Sequence, residues 1–268
     1  MKPVFIDSAA GRIFAIYHPA RGVSHGKTII YLPPFTEEMN RSRRVAALQA
    51  REFTRLGFAV LLLDPFGTGD SAGEFRDARW DIWLDDVSAA ADWLAKQGLT
   101  PSILWGLRVG SLLAAAAASR ESGRFERLLL WQPVTDGKSM LTQFLRIRIA
   151  SSLQESGARE KTEGLRAELE AGRSVHVAGY ELSPSLAAAI GMQRLENYPP
   201  PSDMRIDWLE IAPGESDVLS PTAQRISADW RSKGAAVNAL KVTDDAFWNL
   251  QETTLAPHLV AATGRLFQ

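Results

Sequence analysis

The sequence predicts an α/β fold, in which helices flank a mainly parallel central sheet and a helical insertion comes late in the chain. Short apolar runs alternate with helix-like segments over most of the 268 residues, and this alternation favours parallel strands joined by right-handed crossovers. The run Phe58–Leu63 is continuously apolar, as expected of a strand covered on both faces. The alternation stops after Pro133 and resumes at Ile206, which locates the insertion.

The elements before the insertion each have a local signal. Val4–Ile6 and Arg12–Tyr17 flank a turn-like segment and predict a hairpin. Asn40–Leu56 carries apolar residues at helical spacing and is followed by Gly57, a typical helix stop. The other predicted elements are strands Lys27–Leu32, Phe58–Leu63, Ser102–Trp105 and Arg127–Trp131, and helices Trp80–Gln97 and Leu107–Ser119.

The insertion and the C-terminal part complete the predicted fold. Residues 135–201 are richer in charge and contain predicted helices Met140–Ser152, Lys161–Ala171 and Ser183–Leu195 and an extended piece Ser174–Tyr180. Strands Ile206–Ala212 and Ala236–Val242 and helices Pro221–Lys233 and Thr254–Leu266 follow. Because two strands cannot form a sheet of this kind alone, we expect one domain over residues 1–268 with a cap at about 135–201.

The composition argues against several classes of function. A formal net charge of −1 gives no reason to expect a nucleic acid partner. The absence of cysteine excludes disulfides and thiolate nucleophiles, and His18, His25 and His176 match no metal-ligand spacing. Asp7 comes too early for a signal peptide, and no apolar run is long enough to span a bilayer. We expect a cytoplasmic protein with no transmembrane segment, metal or cofactor.

The most informative segment is Leu104–Gly110, where Gly106 and Gly110 have the spacing of the motif G-x-S-x-G. In that motif the central serine lies exposed on a strained turn between a strand and a helix, as the nucleophile of an α/β-hydrolase. The central residue here is Arg108. A guanidinium stays protonated and cannot attack a carbonyl carbon, so the usual nucleophile is missing.

The order of the elements resembles the α/β-hydrolase superfamily over nearly the whole chain. Three segments, Pro33–Arg44, Leu104–Gly110 and Gly179–Ser183, are similar to the hydrolase 2 proteins associated with exosortase A systems. The resemblance implies a role in exopolysaccharide synthesis or protein sorting. It also implies the hydrolase class of enzymes, although the family takes its name from the fold.

The resemblance also implies positions for the triad, in the order serine, acid, histidine. The acid position falls in residues 214–217, where Asp217 fits the role. The histidine is expected after the strand Ala236–Val242, but residues 243–248 contain none. Two substitutes remain open: Ser111 as a displaced nucleophile or a packed small residue, and His258 as a displaced base or an exposed or capping residue.

An arginine at the elbow adds positive charge to a site already suited to anions. In working hydrolases the N–H after the nucleophile, here that of Val109, holds an oxyanion together with an N–H of Phe35 or Thr36. We therefore expect Arg108 to bind a carboxylate or phosphate. The anion belongs either to a ligand or to the protein itself, and the candidate internal partners are Asp217, Glu37 and Glu38.

Two other groups of side chains are open to two interpretations. Phe247 and Trp248 stand in the loop where the histidine is expected, so they either fill its space or line an acyl or sugar pocket. Arg41, Arg43 and Arg44 open a helix, as a solvated face or as an anion-attracting rim.

Two functions therefore compete. The first is hydrolysis of an ester-like or acylated substrate without Ser-His chemistry, in which Asp217, Glu37 or Glu38 activates water and Arg108 and backbone N–H groups stabilise the oxyanion. The second is a non-catalytic relative that binds an anionic metabolite or a partner protein through Arg108. The chemistry of the residues favours the second.

Overall fold

An eight-stranded sheet forms the centre of the computed structural model, which describes residues 1–155, 161–214, 217–252 and 254–268. The strand order is β1-β2-β4-β3-β5-β6-β9-β10. β2 runs antiparallel to its neighbours β1 and β4, and the other neighbouring pairs are parallel. The strands are β1 Lys2–Ser8, β2 Gly11–His18, β3 Lys27–Leu32, β4 Ala59–Asp64, β5 Thr100–Leu107, β6 Arg127–Trp131, β9 Arg205–Ala212 and β10 Ala236–Thr243.

Helices cover both faces of this sheet. One buried cluster joins α2, α3 and α7 to the sheet, and a second cluster joins α1 and α8 to its other face. The helices are α1 Glu37–Arg55, α2 Trp80–Lys96, α3 Val109–Arg120, α7 Pro221–Ser232 and α8 Pro257–Arg265. Burial on both faces explains the continuously apolar strands, and the predicted fold class is confirmed.

The insertion lies between β6 and β9 and adds no strand to the main sheet. It consists of α4 Gly137–Glu155, α5 Thr162–Glu170, the two-stranded ribbon β7 Val175–Val177 and β8 Tyr180–Leu182, and α6 Pro184–Met192. Phe144 of α4 packs on Phe35, with ring centroids 5.0 Å apart, so the insertion stands beside the loop that follows β3. Its assignment as a cap of a single domain stays a prediction.

The structure corrects several predicted boundaries. The extended piece predicted at Ser174–Tyr180 is a ribbon, because Ala178 and Gly179 have positive φ and turn the chain back. The helix predicted over Ser183–Leu195 ends at Met192, before a 3-10 turn at Leu195–Asn197. α1 begins at Glu37 instead of Asn40, directly after the strained residue Thr36. α8 begins at Pro257 instead of Thr254, because proline favours the first position of a helix.

Among the described residues, no helix combines the length and apolarity that crossing a membrane requires.

Candidate functional site

The turn between β5 and α3 has the strained geometry of a nucleophile elbow. Arg108 has φ 56° and ψ −119°, a region that costs a non-glycine residue about 1–3 kcal/mol. Its N–H donates to the Trp131 carbonyl at 3.0 Å, and its carbonyl accepts from the N–H groups of Ser111 and Val134 at 3.0 and 3.2 Å. These three backbone bonds hold the turn in place.

The two glycines of the motif are required by close packing. A Cβ on Gly106 would lie 2.4 Å from the Gly110 carbonyl oxygen, and a Cβ on Gly110 would lie 2.1 Å from the Leu32 carbonyl oxygen. Any side chain at either position would push α3 away from β3 and β5. The glycines therefore shape the elbow whether or not a nucleophile stands between them.

The Arg108 side chain pairs with Glu38, which lies in the first turn of α1. Its Nε lies 3.3 and 3.4 Å from the two Glu38 carboxylate oxygens. Its Nη2 lies 3.4 Å from Oε1 of Gln143 on α4, and its Cζ lies 5.6 Å from the Trp248 ring centroid. The side chains of Arg108 and Glu38 are 14% and 21% exposed. Of the three acids expected near Arg108, Glu38 is the one in contact.

Glu37 points to the other side of α1. Its Oε1 accepts a hydrogen bond from the Tyr180 hydroxyl at 3.1 Å, and Asn40 donates to the same hydroxyl at 3.1 Å. Burial and the neighbouring Glu37 raise the pKa of Tyr180 above its ordinary value. Burial also raises the pKa of Glu38, against the opposing effect of Arg108 and Arg41. The two adjacent glutamates therefore have different partners: Glu37 contacts Tyr180, and Glu38 contacts Arg108.

Asp217, the expected acid of the triad, is exposed. Among the described residues the ion-pair partner of Arg108 is Glu38, so an Arg108–Asp217 bridge is not formed. Glu215 and Ser216, which precede Asp217 in the same loop, lie outside the described residues. The assignment of Asp217 as a catalytic acid stays a prediction.

The expected oxyanion loop and the elbow face each other across a very small gap. Thr36 precedes α1 with φ 57° and ψ −137°, and Phe35 is buried between Phe75 and Phe144. Phe35 and Val109 line a cavity of only about 10 Å³, which is room for about one water molecule. An N–H in the first turn of a helix has no intrahelical partner, so the Val109 N–H is free to hold an oxyanion. The oxyanion role of Phe35, Thr36 and Val109 stays a prediction.

Large aromatic side chains occupy the loop where the histidine is expected. Phe247 and Trp248 are buried, with their ring centroids 5.2 Å apart, and Phe247 lies against Trp131. Trp248 in turn faces the Arg108 guanidinium. The two rings are packed together beside Arg108, and their role as pocket-lining residues stays a prediction.

The two candidate substitutes for the missing triad members lie in different surroundings. Ser111 is fully buried, and its hydroxyl donates to the Gly106 carbonyl at 2.7 Å. The His258 side chain is 72% exposed, with Nδ1 3.1 Å from Oδ1 of Asp244. The other oxygen of Asp244 accepts the Leu259 N–H at 2.7 Å, so this pair caps the start of α8.

A family profile described as Hydrolase_4 (serine aminopeptidase, S33) matches residues 27–169, more than half of the chain. The chain belongs to this family. A search among curated proteins gives no match.

Solved structures with low sequence identity share the fold of this Hydrolase_4 member. The chain is similar to Est1E from Butyrivibrio proteoclasticus with bound ferulic acid, at 16% identity and a TM-score of 0.66, over 98% of this chain and 97% of that one. It is also similar to mouse alpha/beta hydrolase domain-containing protein 10, at 17% identity and a TM-score of 0.67, over 99% and 98% of the two chains.

Two arginines of the predicted cluster have internal partners in this Hydrolase_4 member. Arg43 donates from both terminal nitrogens to the buried carboxylate of Asp64, at 3.1 and 2.9 Å, and Arg41 donates to the Asn249 carbonyl at 2.7 Å. Arg44 is exposed. Asp64 was missed as a partner because nothing in the local pattern links the end of β4 to the start of α1.

Arg108 of this Hydrolase_4 member borders a polar cleft of about 420 Å³. The cleft was not predicted from the sequence, because the insertion forms part of its wall. Its lining residues are Arg108, Pro133, Val134, Thr135, Asp136, Ser139, Met140, Gln143, Arg194, Glu196, Thr222 and Arg225. Among the described residues, no group of three or more His, Asp or Glu side chains could hold a metal ion.

Proposed function

We propose that this Hydrolase_4 member binds an anionic small molecule at Arg108 and does not hydrolyse esters through a Ser-His pair. The observation that carries the proposal is the elbow itself, where Arg108 lies between the Glu38 carboxylate and the Trp248 ring. A permanently charged guanidinium offers no nucleophile, and an indole offers no base. What remains is a fixed positive charge.

The surroundings of Arg108 support an anionic ligand. α3 starts at the next residue, so the positive end of its dipole adds to the guanidinium charge. The adjoining cleft of about 420 Å³ also contains Arg194 and Arg225, which pair with Asp136 and Glu196 of the same cleft. Its volume lies within the usual range for small-molecule sites. A carboxylate or phosphate on a small organic molecule suits such a cleft.

The sequence resemblance supports a setting for this ligand. Similarity of Pro33–Arg44, Leu104–Gly110 and Gly179–Ser183 to the exosortase-associated hydrolase 2 proteins favours an anionic or acylated metabolite of exopolysaccharide or protein-sorting pathways, handled in the cytoplasm. In this proposal residues about 135–201 form the cap of a single domain over the ligand. A partner protein that inserts an acidic side chain beside Arg108 is the alternative occupant.

Glu38 favours a second candidate function, hydrolysis of an ester-like or acylated substrate by activated water. Its carboxylate is beside the elbow, and burial raises its pKa towards the range useful for a general base. In this alternative Arg108 and the Val109 N–H stabilise the oxyanion. The sequence offers Asp217 first, or Glu37 or Glu38, as the group that activates water, and the position of Glu38 beside Arg108 favours Glu38.

Hydrolysis of short p-nitrophenyl esters distinguishes the two functions. We expect no turnover above the buffer rate and no labelling by a fluorophosphonate probe, because nucleophile and base are both missing. Turnover that disappears in Glu38→Gln or Asp217→Asn would overturn the binding function in favour of the hydrolase. Labelling of Ser111 would show that its hydroxyl is accessible and can act as a nucleophile, against the burial seen in the structure.

Restoring a serine at the elbow is the sharper form of this test. Arg108→Ser rebuilds the G-x-S-x-G motif, but the aromatic rings of Phe247 and Trp248 still occupy the place of the base. We expect the variant to remain inactive on the same esters and to lose the anion binding of the parent protein. Esterase activity gained by this single substitution would mean that a base lies within reach after all.

A further inference from the structure

The contact between Arg108 and Glu38 is weaker than an arginine–carboxylate pair can be. In the strong form, two guanidinium nitrogens donate in parallel to two oxygens at about 2.7–2.9 Å. Here a single nitrogen, Nε, meets both Glu38 oxygens at 3.3 and 3.4 Å. Nη2 has only a 3.4 Å contact with Gln143, so the guanidinium retains unused capacity to donate.

We propose that the carboxylate of a hydroxylated organic acid replaces Glu38 on Arg108, so that Glu38 is an internal competitor for the ligand site. This inference rests on the proposed anion-binding function and adds to it the class of ligand and the group that regulates its binding. The ligand body lies in the 420 Å³ cleft that Arg108 shares with the insertion.

The other arginines of the cleft are better paired than Arg108. Nε of Arg194 lies 3.0 Å from Asp136, and its Nη1 also donates to backbone carbonyls. Nη1 of Arg225 lies 2.6 Å from Glu196. An incoming carboxylate therefore gains most at Arg108, where the existing bonds are longest.

The remaining polar lining indicates the body of the ligand. Thr135, Ser139 and Thr222 present hydroxyl-bearing side chains to the cleft, and hydroxyl groups can both donate and accept. Val134 and Met140 add a smaller apolar wall. An acid that carries several hydroxyl groups can satisfy such a lining, whereas a long acyl chain would leave the hydroxyls unpaired.

Protonation of Glu38 should release Arg108. The charged groups that act on the Glu38 carboxylate are Arg108 at the elbow and Arg41 on α1; Tyr31 on β3, which also interacts with Glu38, is neutral because burial raises its pKa. Gln143 and Trp248, which touch Arg108 from the insertion and from the loop after β10, carry no charge. Because burial raises the pKa of Glu38, Glu38 takes up its proton at a higher pH than a solvated carboxylate ligand, whose pKa is about 4.

The experiment uses gluconate as the probe, with the neutral hexitol sorbitol and with acetate for comparison. Binding is followed from pH 5 to pH 8 at constant ionic strength, by calorimetry and by the NMR signal of the Arg108 side-chain Nε–H. We expect gluconate affinity to rise as the pH falls, and acetate and sorbitol to bind more weakly than gluconate. Glu38→Gln should bind gluconate about tenfold more tightly at pH 7.5 and lose most of the pH dependence, because the competitor is gone.

Glu37→Gln is the matched control, because it removes the same charge one residue away and leaves the Arg108 partner in place. It should keep the pH dependence of the parent protein. Arg108→Gln should bind gluconate no better than sorbitol. Thermal unfolding of each variant shows whether it is folded, and Glu38→Ala provides a second removal of the competitor.

The outcomes separate the two levels of the proposal. If neither the parent protein nor Glu38→Gln binds gluconate or acetate at any pH, the anion-binding function itself is wrong. If both bind with the same affinity and the same pH profile, the function stands and competition by Glu38 is wrong. An equal effect of Glu37→Gln and Glu38→Gln would also overturn competition, in favour of a general field effect. Sorbitol binding as tight as that of gluconate would overturn the choice of an acid.

Discussion

Arg108 occupies a backbone conformation that nucleophilic residues use, although it has no nucleophile to present. Its φ of 56° persists because Gly106 and Gly110 bring α3 into contact with the sheet and three backbone bonds close the turn. The strain therefore follows from packing, and the strained turn forms even though no nucleophile stands on it. The same turn aims the guanidinium at Glu38 in the first turn of α1.

Arg43 and Arg44 are adjacent in sequence and should differ in their effect on stability. The Arg43 side chain is 42% exposed, but it makes a two-pronged pair with a nearly buried Asp64. Removing it leaves that carboxylate without its cation, so Arg43→Ala should lower the free energy of unfolding by about 1–2 kcal/mol. Arg44→Ala should change it by less than about 0.5 kcal/mol. Urea unfolding of both variants at pH 7 checks this, and equal losses would contradict it.

At the residue scale, the sequence predicted the parts of the site that depend on local motifs. The elbow glycines, Arg108 and the lack of a histidine after β10 could all be read from short segments. The sequence could not show that Glu38, and not Glu37 or Asp217, is the partner of Arg108, because this depends on where α1 begins and how the helix is rotated. α1 starts three residues earlier than predicted, and this places Glu38 next to Arg108 and Glu37 next to Tyr180.

At the scale of elements, α3 is the helix that locates the site. Its first ten residues are all buried, and it packs so closely on β3 and β5 that Gly106 and Gly110 leave no room for a Cβ. The sequence predicted this helix from its alanine run. It did not predict the ribbon β7–β8, because three-residue strands have too short an alternation to be distinguished from a loop.

Gly110→Ala should therefore be strongly destabilising. Its Cβ would lie 2.1 Å from the Leu32 carbonyl oxygen and 2.6 Å from that of Pro33, and neither backbone atom can move without shifting β3. We expect a loss of about 3 kcal/mol in the free energy of unfolding. Gly164→Ala in the exposed face of α5 is the control, since its Cβ would meet nothing within 4 Å, and it should gain about 0.5–1 kcal/mol. Denaturant unfolding of both variants measures the contrast, and a neutral Gly110→Ala would show that the elbow can relax.

At the scale of the whole molecule, a buried carboxylate joins the antiparallel edge of the sheet to a helical layer. Asp86 of α2 accepts a hydrogen bond from the Ser8 hydroxyl at the end of β1 at 2.6 Å. It also accepts one from the Phe66 N–H, just after β4, at 2.7 Å. The element order predicted helices beside a central sheet, but an acidic residue in the middle of an amphipathic helix gave no sign of burial. Among the described residues no cation pairs with this carboxylate, and desolvation raises the pKa of Asp86 from 3.8 to about 6.

This carboxylate makes the stability of the fold depend on pH in a direction that can be tested. Between about pH 4 and pH 6 the folded protein keeps a proton on Asp86 that the unfolded chain has released, so the free energy of unfolding falls as the pH rises through this window. The loss attributable to Asp86 is at most about 3 kcal/mol. In Asp86→Asn, whose amide can still accept from Phe66 and donate to Ser8, this fall should disappear. Urea unfolding from pH 4 to pH 8 measures the difference between variant and parent. Asp81→Asn on the exposed side of α2 should retain the fall, and an Asp86→Asn profile parallel to that of the parent protein would mean that Asp86 is ionised throughout.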